Sequence, residues 1–284
     1  MLLVGFDGSP SAAGAIDIAA RLLPASSARI ACLWAPPFTS RELRRALRRR
    51  ATSLDELMEL LEHEGEAEAE RLAAAGVALA TAAGLQAEPI AHRSFGGEGL
   101  ELPRLAERLE AVALVVGSRG LGGVRAVLGS VSDAAVHYSS IPVVVVPHPL
   151  LSDQRSASTH GPVAVGVDGS DGSRRALTTA ASIFTDRRLI AATVRTDVEP
   201  NAAVDAAPAA EVTLEPAGAT GSGRAVAGAL ALHATDVGAA LAVVGSRGRS
   251  PRQELLLGSV AMALLHQASL PVMVVPCPER LEPH

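Results

Sequence analysis

The sequence contains no lysine, and all 25 of its basic residues are arginine. A Walker-type phosphate loop ends in Gly-Lys-Ser/Thr, and Schiff-base enzymes and protein kinases also depend on a lysine, so these three classes are excluded. Aromatic residues make up only 2% of the chain, while almost half of the residues are apolar. The core therefore has to be built mainly from alanine, valine and leucine.

Cysteine is also scarce. The two that occur, Cys32 and Cys277, belong to no Cys-x-x-Cys pair and no Cys/His cluster, which argues against a zinc site or a disulfide framework. No apolar run reaches the length of a membrane span, and the residues after Met1 lead us to expect no leader peptide. With a formal net charge of −5, we expect a cytoplasmic protein that binds neither nucleic acid nor membrane.

Two motifs occur twice along the chain. VGFDGS at residues 4–9 returns as VGVDGS at 165–170, and VVGSRG at 115–120 returns at 243–248. Self-similarity over so long a period indicates duplication of a whole domain rather than a solenoid. We predict a first domain over residues 1–147, a polar linker over 148–161 and a second domain over 162–278.

Each half alternates short apolar runs with helical patterns. Five apolar strands with intervening helices predict an α/β fold, with two tandem doubly wound domains that each contain a five-stranded parallel sheet. Residues 41–83 predict a long helical segment after the second strand. Prolines occupy the corresponding segment 196–210, so the second domain is predicted to lack that helix.

The repeated VVGSRG motif closes a predicted strand and leads through glycines to the start of a helix. Backbone N–H groups of such a turn can cradle an anion, and Gly117, Gly120 and Gly129 would let phosphate oxygens approach. Ser130 could donate to a phosphate or cap the helix. A plain strand-to-helix loop with a Gly-Ser cap explains the same residues, so both interpretations stand.

An acid ends the first strand of each half, namely Asp7 and Asp168, and each precedes Gly-Ser. Ligands of parallel sheets bind at the carboxyl ends of the strands, where these acids lie. The carboxylate could accept hydrogen bonds from a ribose or a base. It could equally cap its own turn, and the sequence favours neither.

Together, VGFDGS, VVGSRG with the following LGS, and the terminal PVVVVP resemble the universal stress protein family, in tandem across both halves. The resemblance implies an adenine nucleotide alpha hydrolase-like fold. For the ATP-binding members of the family, the resemblance also implies a phosphate loop with the pattern G-x-x-G, then nine residues, then G-[ST]. The nucleotide-binding positions implied in the second half are Asp168, Val194, Gly245, Gly248, Gly258, Ser259 and Val260. Those implied in the first half are Asp7, Gly117, Gly120, Gly129, Ser130 and Val131.

The two loops differ in length. Nine residues separate Gly248 from Gly258, as in the family pattern, but only eight separate Gly120 from Gly129. By the same resemblance, the ends of the second strands, Trp34 and Val194, would flank the base, and Trp34 is bulky there. We therefore expect ATP to bind better in the second half.

The loops offer little for catalysis. The first contains no His, Asp or Glu, the second only Glu254, and no carboxylate pair suggests a magnesium site. Arg119 and Arg247 could pair with phosphates or stay solvated. The sequence thus predicts binding rather than turnover, and the resemblance implies an ATP-binding regulator of stress response or dormancy. The alternatives are a nucleotide-free interaction scaffold and a slow ATPase.

Two further segments matter for assembly. RELRRALRRR at residues 41–50 looks like a nucleic-acid arm, but an acidic run follows and its leucines fit one helix face, which favours a solvated amphipathic helix. The terminal strands would leave exposed edges that need covering. The resemblance to this family implies dimers that are joined at these edges. We therefore predict that residues 143–146 pair with 272–275 in a pseudo-dimer, and a homodimer of chains is left open.

Overall fold

The computed structural model describes residues 1–23, 27–36, 40–95, 98–119, 128–195, 209–216, 222–248 and 257–277. The strands of the first half are β1 (Leu2–Gly5), β2 (Ser27–Trp34), β3 (Gln86–Arg93), β4 (Ala113–Gly117) and β5 (Val143–Val146). Those of the second half are β6 (Val163–Gly166), β7 (Leu189–Val194), β8 (Ala210–Leu214), β9 (Leu241–Gly245) and β10 (Val272–Val275).

The strands of both halves form one continuous sheet. Their order is β3-β2-β1-β4-β5-β10-β9-β6-β7-β8, and neighbours within each half are parallel. The halves meet where β5 and β10 pair antiparallel, with Met273 opposite Val144. The mixed α/β fold with two doubly wound halves and the predicted pairing of the terminal strands are thereby confirmed.

Helices cover both faces of the sheet. They are α1 (Pro10–Leu22), α2 (Arg41–Arg50), α3 (Leu54–Ala82), α4 (Glu98–Arg108), α5 (Ser130–Tyr138), α6 (Ser152–His160), α7 (Asp171–Ile183), α8 (Gly223–Asp236) and α9 (Ser259–Gln267). One core contains residues of α1 and α7, a second contains residues of α4, α5, α8 and α9, and a third, smaller cluster lies between β2 and α3. The central strands are apolar throughout because both of their faces are buried.

The predicted helical segment over residues 41–83 is two helices, α2 and α3. The break comes at a helix-start signal within the segment: the Ser53 hydroxyl accepts a hydrogen bond from the Glu56 backbone at 3.1 Å. The Glu56 carboxylate in turn accepts from the backbone and hydroxyl of Thr52, at 2.6 Å each. This reciprocal capping starts a new helix, and it lowers the pKa of Glu56 through the hydrogen bonds from Thr52.

The predicted polar linker contains helix α6. Arg155 of this helix donates to the Asp17 carboxylate of α1 at 2.8 Å, while Gln154 and Ser158 are buried. The connection between the halves is therefore an ordered helix docked on α1. The segment of the second half that corresponds to α2 and α3 includes residues 196–208, which lie outside the described residues. The predicted loss of a long helix there stays a prediction, as do the domain boundaries.

Candidate functional site

A cleft of about 270 Å³ opens at the carboxyl ends of the first-half strands. Its floor is apolar and comes from the central strands, with Gly5 of β1, Ala31 and Leu33 of β2 and Val116 of β4. Leu102 of α4 covers it, so closely that a Cβ on Gly5 would come within 2.8 Å of the Leu102 Cδ2 atom. The remaining lining residues are Phe6, Asp7, Ala12, Gly117, Arg119, Gly129, Ser130, Val131 and Ser132.

The N-terminus of α5 forms the polar end of this cleft. Its N-cap is Gly129, which provides no side-chain hydrogen bond to the first turn. In contrast, α1, α2, α3, α7 and α8 are each preceded by a serine whose hydroxyl accepts from the backbone. The first N–H groups of a helix lack intrahelical partners and carry partial positive charge. This end of the cleft is therefore suited to an anion.

Asp7 lines the cleft at the end of β1. Its Oδ1 atom accepts a hydrogen bond from the Ser9 backbone at 2.9 Å, across Gly8 with its φ of +80°. Asp168 in the second half makes the same bond with Ser170 at 3.0 Å. The turn-capping role is thus present in both halves, and in the first half the same carboxylate also borders the cleft.

Gly117 has a packing reason to be glycine. A Cβ there would lie 2.5 Å from the Ser11 hydroxyl oxygen at the start of α1. The Ser11 hydroxyl also accepts from the Arg119 backbone at 3.2 Å, and Ser132 donates to the Gly117 carbonyl at 2.6 Å. Contacts among α1, β4 and α5 therefore shape the cleft around this glycine.

The two glycine loops end in the same way despite their different lengths. Gly129 donates its backbone N–H to Ser118 at 2.8 Å, and Gly258 donates to Ser246 at 2.7 Å. Gly129 has φ −62° and ψ 146°, and Gly258 has φ −61° and ψ 148°. The missing residue in the first loop therefore does not displace its final glycine. Gly120 lies outside the described residues.

The second-half residues occupy corresponding places. Gly258 caps α9, which begins with Ser259 and Val260, again without a side-chain cap. A Cβ on Gly245 would come within 2.6 Å of the Gly172 carbonyl carbon, and one on Gly248 within 3.1 Å of the Asp168 Oδ2 atom. Gly248 therefore lies next to the acid that follows β6.

Trp34 and Val194 were both predicted to flank the base, but they are not equivalent positions of the two halves. Gly5 pairs with Ala31 and Gly166 with Ala192, so the counterpart of Val194 is Leu33. Side chains alternate between the faces of a strand. Leu33 consequently lines the cleft, whereas Trp34 is buried on the opposite face.

Trp34 packs against Ala69 and Ala73 of α3, together with Cys32. The bulk of the indole therefore takes no space in the cleft. Leu33, Ala31 and Leu102 are cleft residues that the sequence reasoning missed. The alternation within β2, counted from its pairing with β1, is the signal that would have identified the first two.

No group of three or more potential metal ligands occurs in the part of the chain that the structure describes. In the same part, no helix is both long and apolar enough to cross a membrane.

Comparison with known proteins identifies the family. The family model for universal stress proteins matches residues 1–147 and 219–276. A universal stress protein of Mycolicibacterium smegmatis is 32% identical over 197 residues, and one of Mycobacterium tuberculosis is 35% identical over 186 residues. Each match covers 58% of this chain, and the chain spans about 62% of the length of these curated relatives.

The fold agrees with this match. The crystal structure of a universal stress protein from Archaeoglobus fulgidus superposes with a TM-score of 0.68, at 19% identity and with 97% of each chain covered. At that identity the likeness concerns the fold alone. The family model, however, matches well over half of the sequence, and the chain belongs to the universal stress protein family.

Proposed function

We propose that this protein binds ATP in the first-half cleft and acts as a nucleotide-dependent regulator rather than as an enzyme. The observation that carries the proposal is the arrangement of the cleft. An apolar floor lies between a carboxylate, Asp7, and the uncapped N-terminus of α5. Apolar pockets with a few converging polar groups are typical of small-molecule sites.

Each part of an adenine nucleotide has a matching surface. The base would lie over Ala31 and Leu33, where the floor offers only apolar side chains and strand backbone. Asp7 would accept a hydrogen bond from the ribose. The phosphates would accept hydrogen bonds from the first N–H groups of α5, from the Ser130 hydroxyl and from the Arg119 side chain.

The second half is proposed as a further ATP site on a different ground. Its loop keeps the nine-residue spacing of the ATP-binding members, and the proposed contacts are Asp168, Val194, Gly245, Gly248, Gly258, Ser259 and Val260. In the first half, Gly117 and Gly120 are proposed to take the phosphate-loop positions that Gly245 and Gly248 take in the second. The order of affinity predicted from the spacing, with the second half tighter, is kept as part of the proposal.

The groups that line the cleft support binding without turnover. Hydrolysis needs a base within hydrogen-bond reach of the attacking water. Among the described residues that line the cleft, only Asp7 carries a carboxylate, and it already accepts a hydrogen bond from Ser9 in its own turn. We assign no catalytic residue and no role to magnesium. A regulatory role in stress or dormancy, in the cytoplasm, completes the proposal.

Nucleotide content tests this function directly. Protein purified without added nucleotide should release ATP on denaturation, as identified by mass spectrometry, and calorimetry on the emptied protein should show ATP binding well ahead of GTP. ATP incubated with the protein should stay intact. Absence of any nucleotide binding by the folded protein would instead favour the interaction scaffold, and steady release of ADP would favour the slow ATPase.

A further inference from the structure

Leu102 of α4 forms one wall of the first-half cleft. It lines the cleft together with Ala31 and Leu33 of β2, yet it is only 2% exposed and belongs to the core on that face of the sheet. A side chain that is held in a core has few positions available to it, because protein interiors are close-packed. Leu102 is therefore a fixed wall of the cleft.

Gly5 of β1 lies directly beneath this wall. A Cβ added there would lie 2.8 Å from the Leu102 Cδ2 atom and 3.9 Å from its Cδ1 atom, with the Val116 Cγ1 atom at 3.4 Å. The leucine thus occupies space that any other residue at position 5 would need. The absence of a side chain at Gly5 allows Leu102 to rest on the sheet at the border of the cleft.

The position of α4 relative to α5 is constrained as well. Gly99 of α4 packs on Ala134 of α5 so closely that a Cβ on Gly99 would come within 2.6 Å of the Ala134 Cβ atom. Towards β3, the Glu101 carboxylate lies 3.3 Å from the His92 imidazole. The helix that carries the wall and the helix whose N-terminus forms the polar end of the cleft therefore keep a set separation.

The same pair of residues occurs in the second half. A Cβ on Gly166 of β6 would lie 3.0 Å from the Cδ1 atom of Leu230 in α8. Both halves therefore keep a glycine at the end of their first strand, covered by a leucine of the helix that follows their third strand. A test of the first-half wall consequently needs a protein in which the proposed second-half site is blocked.

We propose that Leu102 determines the size of the base that the first-half cleft accepts. This rests on the proposed function, in which the base lies over Ala31 and Leu33 and would meet the Leu102 methyl groups on the side of α4. The cleft volume of about 270 Å³ is just below the range of about 300–1,000 Å³ that is usual for small-molecule sites. The wall therefore admits a plain purine and excludes one with a bulky substituent on the edge that faces α4.

A purely structural role for Leu102 makes a different prediction. Leu105, one turn further along α4, is buried in the same core at 6% exposed, but it is not among the residues that line the cleft. If Leu102 only filled the core, alanine at either position would weaken the fold and leave the choice of base unchanged. Leu105→Ala is therefore the matched control, which separates size selection from stability.

Calorimetry on the full chain tests the proposal in a Gly258→Asp background, which blocks the proposed second-half site. The ligands are ATP and three analogues with a substituent on different edges of the purine, namely N6-benzyl-ATP, 2-methylthio-ATP and 8-bromo-ATP. This parent should prefer ATP by about tenfold or more over the analogue whose substituent faces α4. Leu102→Ala should remove or reverse that preference for at least one analogue, whereas Leu105→Ala should preserve it.

Gly5→Ala approaches the same wall from the strand. Its Cβ takes the space next to the Leu102 Cδ2 atom, so the end of the leucine has to shift, and the cleft is its open side. ATP affinity should fall about tenfold. Combining Gly5→Ala with Leu102→Ala should restore part of the affinity, because the shortened side chain leaves room for the new Cβ, and residues in contact show such coupling.

The outcomes distinguish this inference from the proposed function. If the Gly258→Asp parent binds ATP, and Leu102→Ala ranks the four nucleotides as Leu105→Ala does, the inference is overturned and the proposed function stands. If the parent binds no ATP, the proposed first-half site is wrong and the inference falls with it. If Leu102→Ala fails to fold by circular dichroism, Leu102→Val takes its place with the same ligands and should shift the preference in the same direction by a smaller factor.

Discussion

Gly117 at the end of β4 lies against Ser11 of α1 so closely that an added Cβ would meet the Ser11 carbonyl carbon at 2.6 Å. Because that neighbour is backbone, it cannot rotate away. Gly117→Ala should therefore destabilise the protein by about 1–3 kcal/mol, as overpacking typically does. The free energy of unfolding from urea titration measures this.

Gly14 provides the matched control, since it lies in α1 and an added Cβ there would meet no heavy atom within 4 Å. Gly14→Ala should stabilise the protein by about 0.5–1 kcal/mol through helix propensity alone. Equal effects of the two alanines would mean that the contact between Gly117 and Ser11 does not constrain the fold.

The uncapped helix α5 permits a variant that separates binding from stability. Gly129→Asp would supply the missing N-cap, which should raise stability by a few tenths of a kcal/mol. It would also place a negative charge where the phosphates are proposed to bind. We expect ATP affinity in the first half to fall at least tenfold in calorimetry, while the melting temperature stays the same or rises.

Gly258→Asp makes the equivalent change at α9. If both halves bind ATP, each variant should lose one of two sites, and the remaining affinities give the order that the loop spacing predicts. If the stoichiometry and affinity of ATP binding are unchanged in both variants, the helix N-termini do not bind the phosphates.

The repeated motifs identified from sequence several residues that line one cleft, while their role in nucleotide binding stays a prediction. Asp7, Gly117, Gly129, Ser130 and Val131 all line one cleft, because residues at the carboxyl ends of neighbouring parallel strands necessarily converge. The apolar runs likewise predicted the strands, since strands buried on both faces contain few polar residues.

The errors have physical reasons as well. Leu33 was missed because a shift of one residue along a strand moves a side chain to the other face, and only the pairing of Ala31 with Gly5 fixes the phase. Helix α6 was missed because its docking depends on polar contacts with distant residues. The bond from Gln154 to Ser269 is one of these, and no local pattern reveals it.

Arg187 joins the two halves at their helix ends. Its guanidinium donates to the carbonyl oxygens of Arg21 at 2.8 Å, Ser158 at 2.9 Å and Gly161 at 3.1 Å, and its burial lowers its pKa. Arg187→Ala would leave these carbonyls unpaired and should cost about 2–3 kcal/mol. Arg187→Lys should recover only part of this, because one ammonium cannot reproduce the planar fork.

The neighbouring Arg188 is exposed, so Arg188→Ala is the control and should change stability by less than about 0.5 kcal/mol. Urea titration of all three variants decides the matter. A cost for Arg187→Ala as small as that for Arg188→Ala would show that the guanidinium does not hold the halves together.

Asp17 should make stability depend on acid pH. Burial alone would raise the pKa of this carboxyl, but hydrogen bonds from Arg155 and Arg21 outweigh burial and lower it. Since the pKa is lower in the folded state, the stabilisation is present above the unfolded value of about 3.9 and is lost as pH falls through the folded value.

Asp17→Asn tests this dependence. It should reduce stability by about 0.5–1 kcal/mol near pH 7, the range for partly exposed ion pairs. The difference from the wild type should disappear in strong acid. A difference that is independent of pH would assign the loss to packing rather than to the ion pairs.

The last prediction concerns the junction between β5 and β10, where Val145 pairs with Val272 and Val143 with Val274 in the middle of the ten-stranded sheet. Residues 1–147 expressed alone would expose the whole β5 edge, and an unpaired apolar edge strand pairs readily with another chain. We expect this fragment to self-associate, and fragment 148–284 to do the same through β10. Mixing the two should give a one-to-one complex in preference to either self-associated form, because α6 and Arg187 add contacts that only the mixed pair provides. Native mass spectrometry of the mixture measures these species, and two stable monomers that ignore each other would show that the junction is not needed to cover these edges.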